Sequence, residues 1–244
     1  MDPREYALMY QVEDVHWWYL GMAAITTSLL DRWADSTTQR ILDAGCGTGA
    51  AMTGYLPKYG NVTGVDLYPQ ALEFCRQRGA ERISCASILN LPFDSASFDL
   101  VTSFDVLYER AVSNEQAALN EIFRVLTPGG RLLLRLPAYN WLRGKHDERV
   151  HTNRRYTTGL IRSLLQESGF KVQHLSYANT WLFPLAVAKR LSENIFPPGE
   201  DHSDLSLNAG SLNSVFQAIL SSEAPRVAGA GLPFGLSVFA VAQK

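Results

Sequence analysis

Asp43-Ala-Gly-Cys-Gly-Thr-Gly49 is the stretch of this sequence with the clearest chemical use. Gly45, Gly47 and Gly49 permit tight turns and let a ligand approach the main chain, and Asp43 sets a carboxylate beside them. A plain strand-to-helix turn needs no such run, because each glycine loses extra conformational freedom on folding. Asp66, seventeen residues after Gly49, can accept hydrogen bonds from both hydroxyls of a ribose. Two ligand classes fit. Gly45, Gly47 and Ala50 satisfy the G-x-G-x-x-G/A spacing of NAD-binding loops. A nucleoside with a cationic centre suits Asp43 and Gly49 better, since a carboxylate is a liability beside pyrophosphate and an asset beside a sulfonium.

A second group lies between Trp141 and Tyr156. His146 and His151 change charge at about pH 6.5 if unperturbed, so either can take a proton from a hydroxyl, an amine or a carbon acid. His151 is the expected base and His146 the alternative. Arg154 and Arg155, followed by Tyr156, offer planar forks for a carboxylate or phosphate. His146, Asp147 and His151 complete no metal-ligand motif, and the three cysteines, Cys46, Cys75 and Cys85, suit neither a zinc knuckle nor a disulfide framework; no metal is expected. His16-Trp-Trp-Tyr19 and the later Tyr177, Trp181 and Phe183 supply aromatic faces for a pocket wall or for core packing.

The elements that must position these groups alternate along the chain. Strands are expected at Arg40–Ala44, Asn61–Asp66, Ile83–Ser87, Phe98–Ser103, Arg131–Leu136, Phe170–Ser176 and Gly235–Gln243. Helices are expected at Glu5–Trp33, with a break permitted at Gly21, and at Ala50–Tyr59, Pro69–Arg78, Asn114–Leu126, Thr157–Ser168, Trp181–Asn194 and Leu205–Ser222. Strands alternating with helices of about ten residues imply parallel β-α units with helices on both faces of an open sheet. Ligands in such sheets bind outside the carboxyl ends of the strands, where the glycine loop, Asp66 and the histidine segment all fall.

The 244 residues are 46% apolar and 19% charged, the composition of a folded chain, with a formal charge of −2 that gives no general reason to bind nucleic acid. The acidic, aromatic start lacks the features of a secretory signal, and no apolar run approaches the roughly 20 residues of a membrane span. A cytoplasmic, single-domain protein is the expectation for residues 1–244. It divides into an N-terminal helical lid or cap (1–37), a cofactor-binding core (38–137), acceptor-side loops and helices (138–234) and a final strand (235–243).

ILDAGCGTG, GVDLYPQAL, LPFDSASFDLVTSFDVLY and RVLTPGGRLLLRLP together resemble the class I S-adenosylmethionine-dependent methyltransferases, particularly the type 11 group, over residues 38–137. The resemblance implies a Rossmann-like α/β three-layer fold whose seven-stranded, mostly parallel sheet ends in an antiparallel strand. It also implies S-adenosyl-L-methionine as cofactor, with Asp43, Gly45 and Gly47 around its methionine part, Asp66 on the ribose and Leu67 on the adenine. Cys46, Gly49, Ser87, Ile88 and Phe104 complete the expected cofactor set. Many relatives carry Asp just before the segment leading to LPF, where this chain has Ala86-Ser87, and Ser87 is a neutral and weaker acceptor for the adenine amino group. Relatives often read D-V-L-x-H where this chain reads Asp105-Val-Leu-Tyr-Glu109, so the histidine role is not transferred to Glu109. HWWY, HDERVHTNRRYT and SYANTWLFPL look similar to a bacterial subgroup of the same enzymes.

The expected function is methyl transfer to a small-molecule or modified-metabolite acceptor, with no nucleic-acid partner and no reading of oligomeric state. Acceptor contacts are expected from Trp17, Tyr19, Asp105, Tyr139, Arg154, Arg155, Tyr156 and Trp181. The alternatives are a noncatalytic S-adenosylmethionine-binding protein and an NAD(P)-dependent oxidoreductase.

Overall fold

The computed structural model describes residues 3–34, 38–144, 152–188 and 210–244. Seven strands form one sheet: β1 Arg40–Ala44, β2 Asn61–Asp66, β3 Ile83–Cys85, β4 Phe98–Phe104, β5 Leu126–Pro137, β6 Lys171–Ala178 and β7 Ser237–Gln243. Their order is β3-β2-β1-β4-β5-β7-β6, with β1 to β5 parallel and β7 antiparallel between β5 and β6. The order turns back between β1 and β4. That is the switch point at which an open α/β sheet leaves a crevice outside its carboxyl ends.

Helices cover both faces, which is why the central strands are apolar along their length. On one face Ala118, Leu119, Ile122 and Val125 of Glu115–Val125, with Ile161 and Leu165 of Thr158–Glu167, pack on Leu42, Val101, Leu132 and Leu134. On the other, Met22, Ile25 and Leu29 of helix α2 (Trp17–Trp33) join Leu220, Ala224 and Val227 of Asn213–Ser221 and Ala224–Ala228 against Ile41, Leu100 and Leu133. The helix Pro69–Gln77 buries Leu72 and Cys75 against Cys46 and Met52.

The N-terminal helix breaks elsewhere than expected. Helix α1 (Pro3–Val12) stops four residues before α2, and His16 caps α2 by accepting the Trp18 N–H on Nδ1 at 3.3 Å. Gly21 stays helical because it packs against Leu220: a Cβ there would stand 2.6 Å from Leu220 Cδ2. The expected helix over Ala50–Tyr59 is a short helix, Ala50–Thr53, and a 3-10 turn, Leu56–Lys58, separated at Gly54. Residues 183–188 are helical. The remainder of the expected Trp181–Asn194 helix and the start of Leu205–Ser222 lie outside the described residues. Among the described residues no helix is long and apolar enough to cross a membrane.

Candidate functional site

Beyond β1 the chain turns at Gly45 (φ +87), Gly47 (φ +54) and Gly49 (φ +88), a backbone region that L side chains rarely adopt. At Gly45 the space is also closed, since a Cβ would come within 2.2 Å of Val106 Cγ2. The Gly47 N–H donates to Asp66 Oδ2 at 2.9 Å and the Tyr68 N–H to Oδ1 at 3.0 Å, so one carboxylate ties the glycine loop to the end of β2. Asp43 is 2% exposed and accepts the Thr102 hydroxyl from β4 at 2.8 Å. Burial pushes the Asp43 carboxyl up to about 6, and it also raises Asp66 against the pull of the Tyr68 and Gly47 amides. Two carboxylates whose charge the fold disfavours are what a cationic ligand would relieve.

The first helix roofs this loop. Met9 Cε lies 3.1 Å from the place a Gly47 Cβ would take, and the Tyr6 hydroxyl donates to Asp66 Oδ1 at 3.4 Å. Buried Glu13 accepts the Thr48 hydroxyl, and the Arg78 guanidinium bridges Glu13 and Asp14 at 2.8 Å each while its carbon stands 4.8 Å from the centre of the Tyr10 ring. Tyr6, Met9, Glu13 and Arg78 were not legible as site residues; the acidic Glu13-Asp14 pair at the helix break is the nearest signal.

Between these parts runs a cavity of about 1040 Å³, at the top of the roughly 300–1,000 Å³ range of small-molecule sites. Asp43, Gly45, Cys46, Gly47, Asp66, Leu67, Ser87, Ile88 and Phe104 all line it. Gly49 does not, and acts instead as the left-handed cap of Ala50–Thr53, with its absent Cβ facing Cys75 Sγ at 3.0 Å. The Ser87 hydroxyl accepts the Leu89 N–H at 3.2 Å. Glu109 lines the cavity too, and burial pushes its carboxyl up to about 7.

Of the expected acceptor contacts, Trp17, Tyr19, Asp105 and Arg155 line the cavity, and Tyr139, Arg154, Tyr156 and Trp181 do not. Each of those four is engaged elsewhere. Tyr156 is fully buried with its hydroxyl on Glu115 and on Leu107 O at 3.2 Å, and Arg154 pairs with the same Glu115. Tyr139 stacks on Tyr177 with ring centres 5.2 Å apart, and the Arg226 guanidinium carbon lies 5.7 Å from the centre of the Trp181 ring. His146 and His151 lie outside the described residues; Thr152, next to His151, is buried in the cavity wall. Among the described residues no three His, Cys, Asp or Glu side chains cluster as a metal site.

Sequence reasoning missed Arg135 on β5, Asn179 just past β6, and Phe216 on the helix Asn213–Ser221, all of which line the cavity. A charged residue inside Leu132-Leu-Leu-Arg-Leu136 was the available signal for Arg135.

Residues 42–134 match a family model described as a methyltransferase domain. The "Uncharacterized methyltransferase YodH" of Bacillus subtilis (strain 168) is 42% identical over 120 residues, 46% of this chain and 49% of that protein. The "Probable tRNA methyltransferase 9B" of Bos taurus is 33% identical over 135 residues, 53% of this chain and 28% of that protein. The chain thus spans about half the length of the first relative and less of the second. In fold it is similar to a methyltransferase solved with the Haloferax volcanii Trm112 methyltransferase activator, with a TM-score of 0.64 at 17% identity, covering 99% of this chain and 93% of that one. With the glycine loop, Asp43 and Asp66 on one cavity, residues 42–134 form a methyltransferase domain of the type 11 group, whose cofactor is S-adenosylmethionine.

Proposed function

We propose that the protein moves the sulfonium methyl group of S-adenosylmethionine to a small or medium-sized organic acceptor and leaves S-adenosylhomocysteine. The observation that carries this is the continuity of one 1040 Å³ cavity from Asp66 past Asp43 to Arg135 and Asn179, larger than a nucleoside alone requires. When bound, the cofactor supplies an electrophilic methyl carbon. The chain's own residues bind and orient: Asp66 holds the ribose hydroxyls, Asp43 with the Gly45–Gly47 backbone holds the methionine end, and Leu67, Ser87 and Ile88 border the adenine. Residues 1–37 act as a lid, a reading supported by the contacts of Tyr6, Met9 and Glu13 with Asp66, Gly47 and Thr48. Holding the acceptor in line with the methyl group supplies much of the rate, because it replaces a bimolecular encounter. His151 is the proposed general base and His146 the alternative; the place of Thr152 in the cavity wall supports this segment as a source of acceptor contacts.

A small-molecule acceptor is favoured over RNA because the cavity is roofed by α1 and edged by aromatic side chains of α2, and because a net charge of −2 gives a polyanion little attraction. Calorimetry with S-adenosylhomocysteine tests the cofactor half. Asp66→Asn, which weakens charged hydrogen bonds worth about 1.5–3 kcal/mol, is expected to raise Kd by about tenfold or more in a folded protein. Incubation of the full chain with methyl-labelled cofactor and either fractionated metabolites or bulk tRNA tests the acceptor half. Label in a small-molecule fraction supports the proposal, label in tRNA overturns the acceptor class, and tight cofactor binding without transfer to any fraction supports the noncatalytic alternative.

A further inference from the structure

We propose that Arg135 anchors the acceptor by a carboxylate, and that the acceptor is a flat, mainly apolar organic acid. The inference deepens the methyl-transfer reading and rests on it. Arg135 projects from β5 into the cavity wall with its side chain only 11% exposed. Its Nε donates to Asp105 Oδ2 at 2.8 Å and its Nη2 stands 2.7 Å from the same oxygen, so one edge of the guanidinium is fixed on a single oxygen. The two faces are held as well: the guanidinium carbon lies 5.0 Å from the centre of the Trp18 ring and 5.1 Å from that of Phe104. Among the described residues Asp105 is the one carboxylate bonded to it. A guanidinium has five N–H donors, and the Nη1 edge remains for a ligand.

An ion pair this buried is a poor choice for stability alone, since apolar side chains of the same size do as well. Two further features indicate that the pair is built for a ligand. Asp105 is held in the left-handed region, φ +59, and its N–H donates to the Arg135 carbonyl at 2.9 Å; strain of this kind persists where a site demands a fixed carboxylate. On the same wall Asn179 is 1% exposed and its Oδ1 has no hydrogen-bond partner, an orphaned acceptor that a donor elsewhere on a ligand would satisfy, since a carboxylate has none to offer. An immobile fork with one open edge matches the two oxygens of a carboxylate, which lysine would meet only as a point charge. The flat, apolar remainder of the acceptor follows from Trp17, Tyr19 and Phe216, which line the same cavity, with the Trp17 and Phe216 ring centres 5.5 Å apart.

The test uses the full chain saturated with S-adenosylhomocysteine and two probes of equal shape, 1-naphthoate and 1-naphthamide, titrated by calorimetry. The acid is expected to bind about tenfold or more tightly than the amide, the margin of one charge-assisted bidentate contact. With each variant saturated by S-adenosylhomocysteine, Arg135→Gln should remove that preference and Arg135→Lys should keep only part of it. Asp105→Asn, which keeps the guanidinium and lifts a competing charge, should preserve or increase the preference for the acid and serves if Arg135→Gln fails to fold. Equal binding of the two probes, no binding of naphthoate at millimolar concentration, or a preference that survives in Arg135→Gln overturns the proposal. If S-adenosylhomocysteine fails to bind while free protein still prefers the acid through Arg135, the methyl-transfer reading fails and the anchor stands.

Discussion

The two ends of the cavity are made in different ways. At the β1–β2 end the contacts are set by the main chain: three glycines with positive φ, and one carboxylate accepting two backbone N–H groups, all within residues 43–68. On the remaining wall, which includes Arg135 of β5, they are side chains gathered from distant segments, with Trp18, Asp105, Arg135, Asn179 and Phe216 spread over nearly the whole chain. Backbone geometry tolerates few residue types, whereas a side-chain wall can be redrawn one residue at a time. A ligand held by backbone and one held by side chains are therefore expected to meet across this cavity, and substitutions should separate them.

The largest separation is expected from Gly45→Ala. The new Cβ falls 2.2 Å from Val106 Cγ2 at φ +87, so the loop must move, and left-handed strain of roughly 1–3 kcal/mol adds to the overlap. Affinity for S-adenosylhomocysteine should fall by about a hundredfold, with the circular dichroism spectrum retained. An unchanged Kd would mean that the main chain of this loop does not define the cofactor end.

The next effect is one of pH. Burial holds the Asp43 carboxyl at about 6 in the free protein, and a cationic ligand binds its ionised form. A raised carboxyl pKa means the proton must leave on binding, so affinity for S-adenosylmethionine is full above pH 6 and falls by about tenfold per unit below it. Asp43→Asn should flatten that part of the profile. Glu109, held at about 7, would account for any slope left between pH 6 and 8. Calorimetry in buffers of different ionisation enthalpy reads the released proton directly, and a profile already flat in the wild type would remove Asp43 from the cation's surroundings.

On the acceptor side the expected change is smaller and falls on a different quantity. Phe216→Ala removes the partner that stands 5.5 Å from Trp17, an aromatic contact worth about 0.5–1.5 kcal/mol. The kcat/KM for the acceptor should drop by about fivefold while cofactor Kd stays constant. Loss of cofactor affinity instead would erase the division between the two ends.

The same division explains what could be read from the sequence. The glycine loop and Asp66 are local signals, since the loop depends on a few consecutive residues with restricted φ and Asp66 closes the next strand. The antiparallel last strand was legible by resemblance, and its seven residues pair along β5 from Arg131↔Gln243 to Pro137↔Ser237. Tyr139, Arg154, Tyr156 and Trp181 carried side chains suited to an acceptor, but suitability says nothing of direction. Glu115, some forty residues before Arg154 and Tyr156, takes both of them. Arg135 was passed over because its partners, Trp18 and Asp105, lie 117 and 30 positions away in sequence.

Ser87 offers the finest test, because there the cofactor end itself depends on a side chain. Its hydroxyl lines the cavity and already accepts the Leu89 N–H at 3.2 Å, a cap that an aspartate in the same place can also form with one of its two oxygens. The second oxygen of Ser87→Asp would be left to accept the adenine amino group, as the aspartate of many relatives does by resemblance. A neutral acceptor replaced by a charged one strengthens a hydrogen bond by about 1 kcal/mol, so Kd for S-adenosylhomocysteine should improve by roughly threefold to fivefold. The gain should be absent for a cofactor analogue whose base lacks the exocyclic amine, such as S-inosylhomocysteine. An equal gain for both ligands would assign the effect to net charge in the cavity, and a loss for both would mean that the Leu89 cap matters more to this loop than the base does.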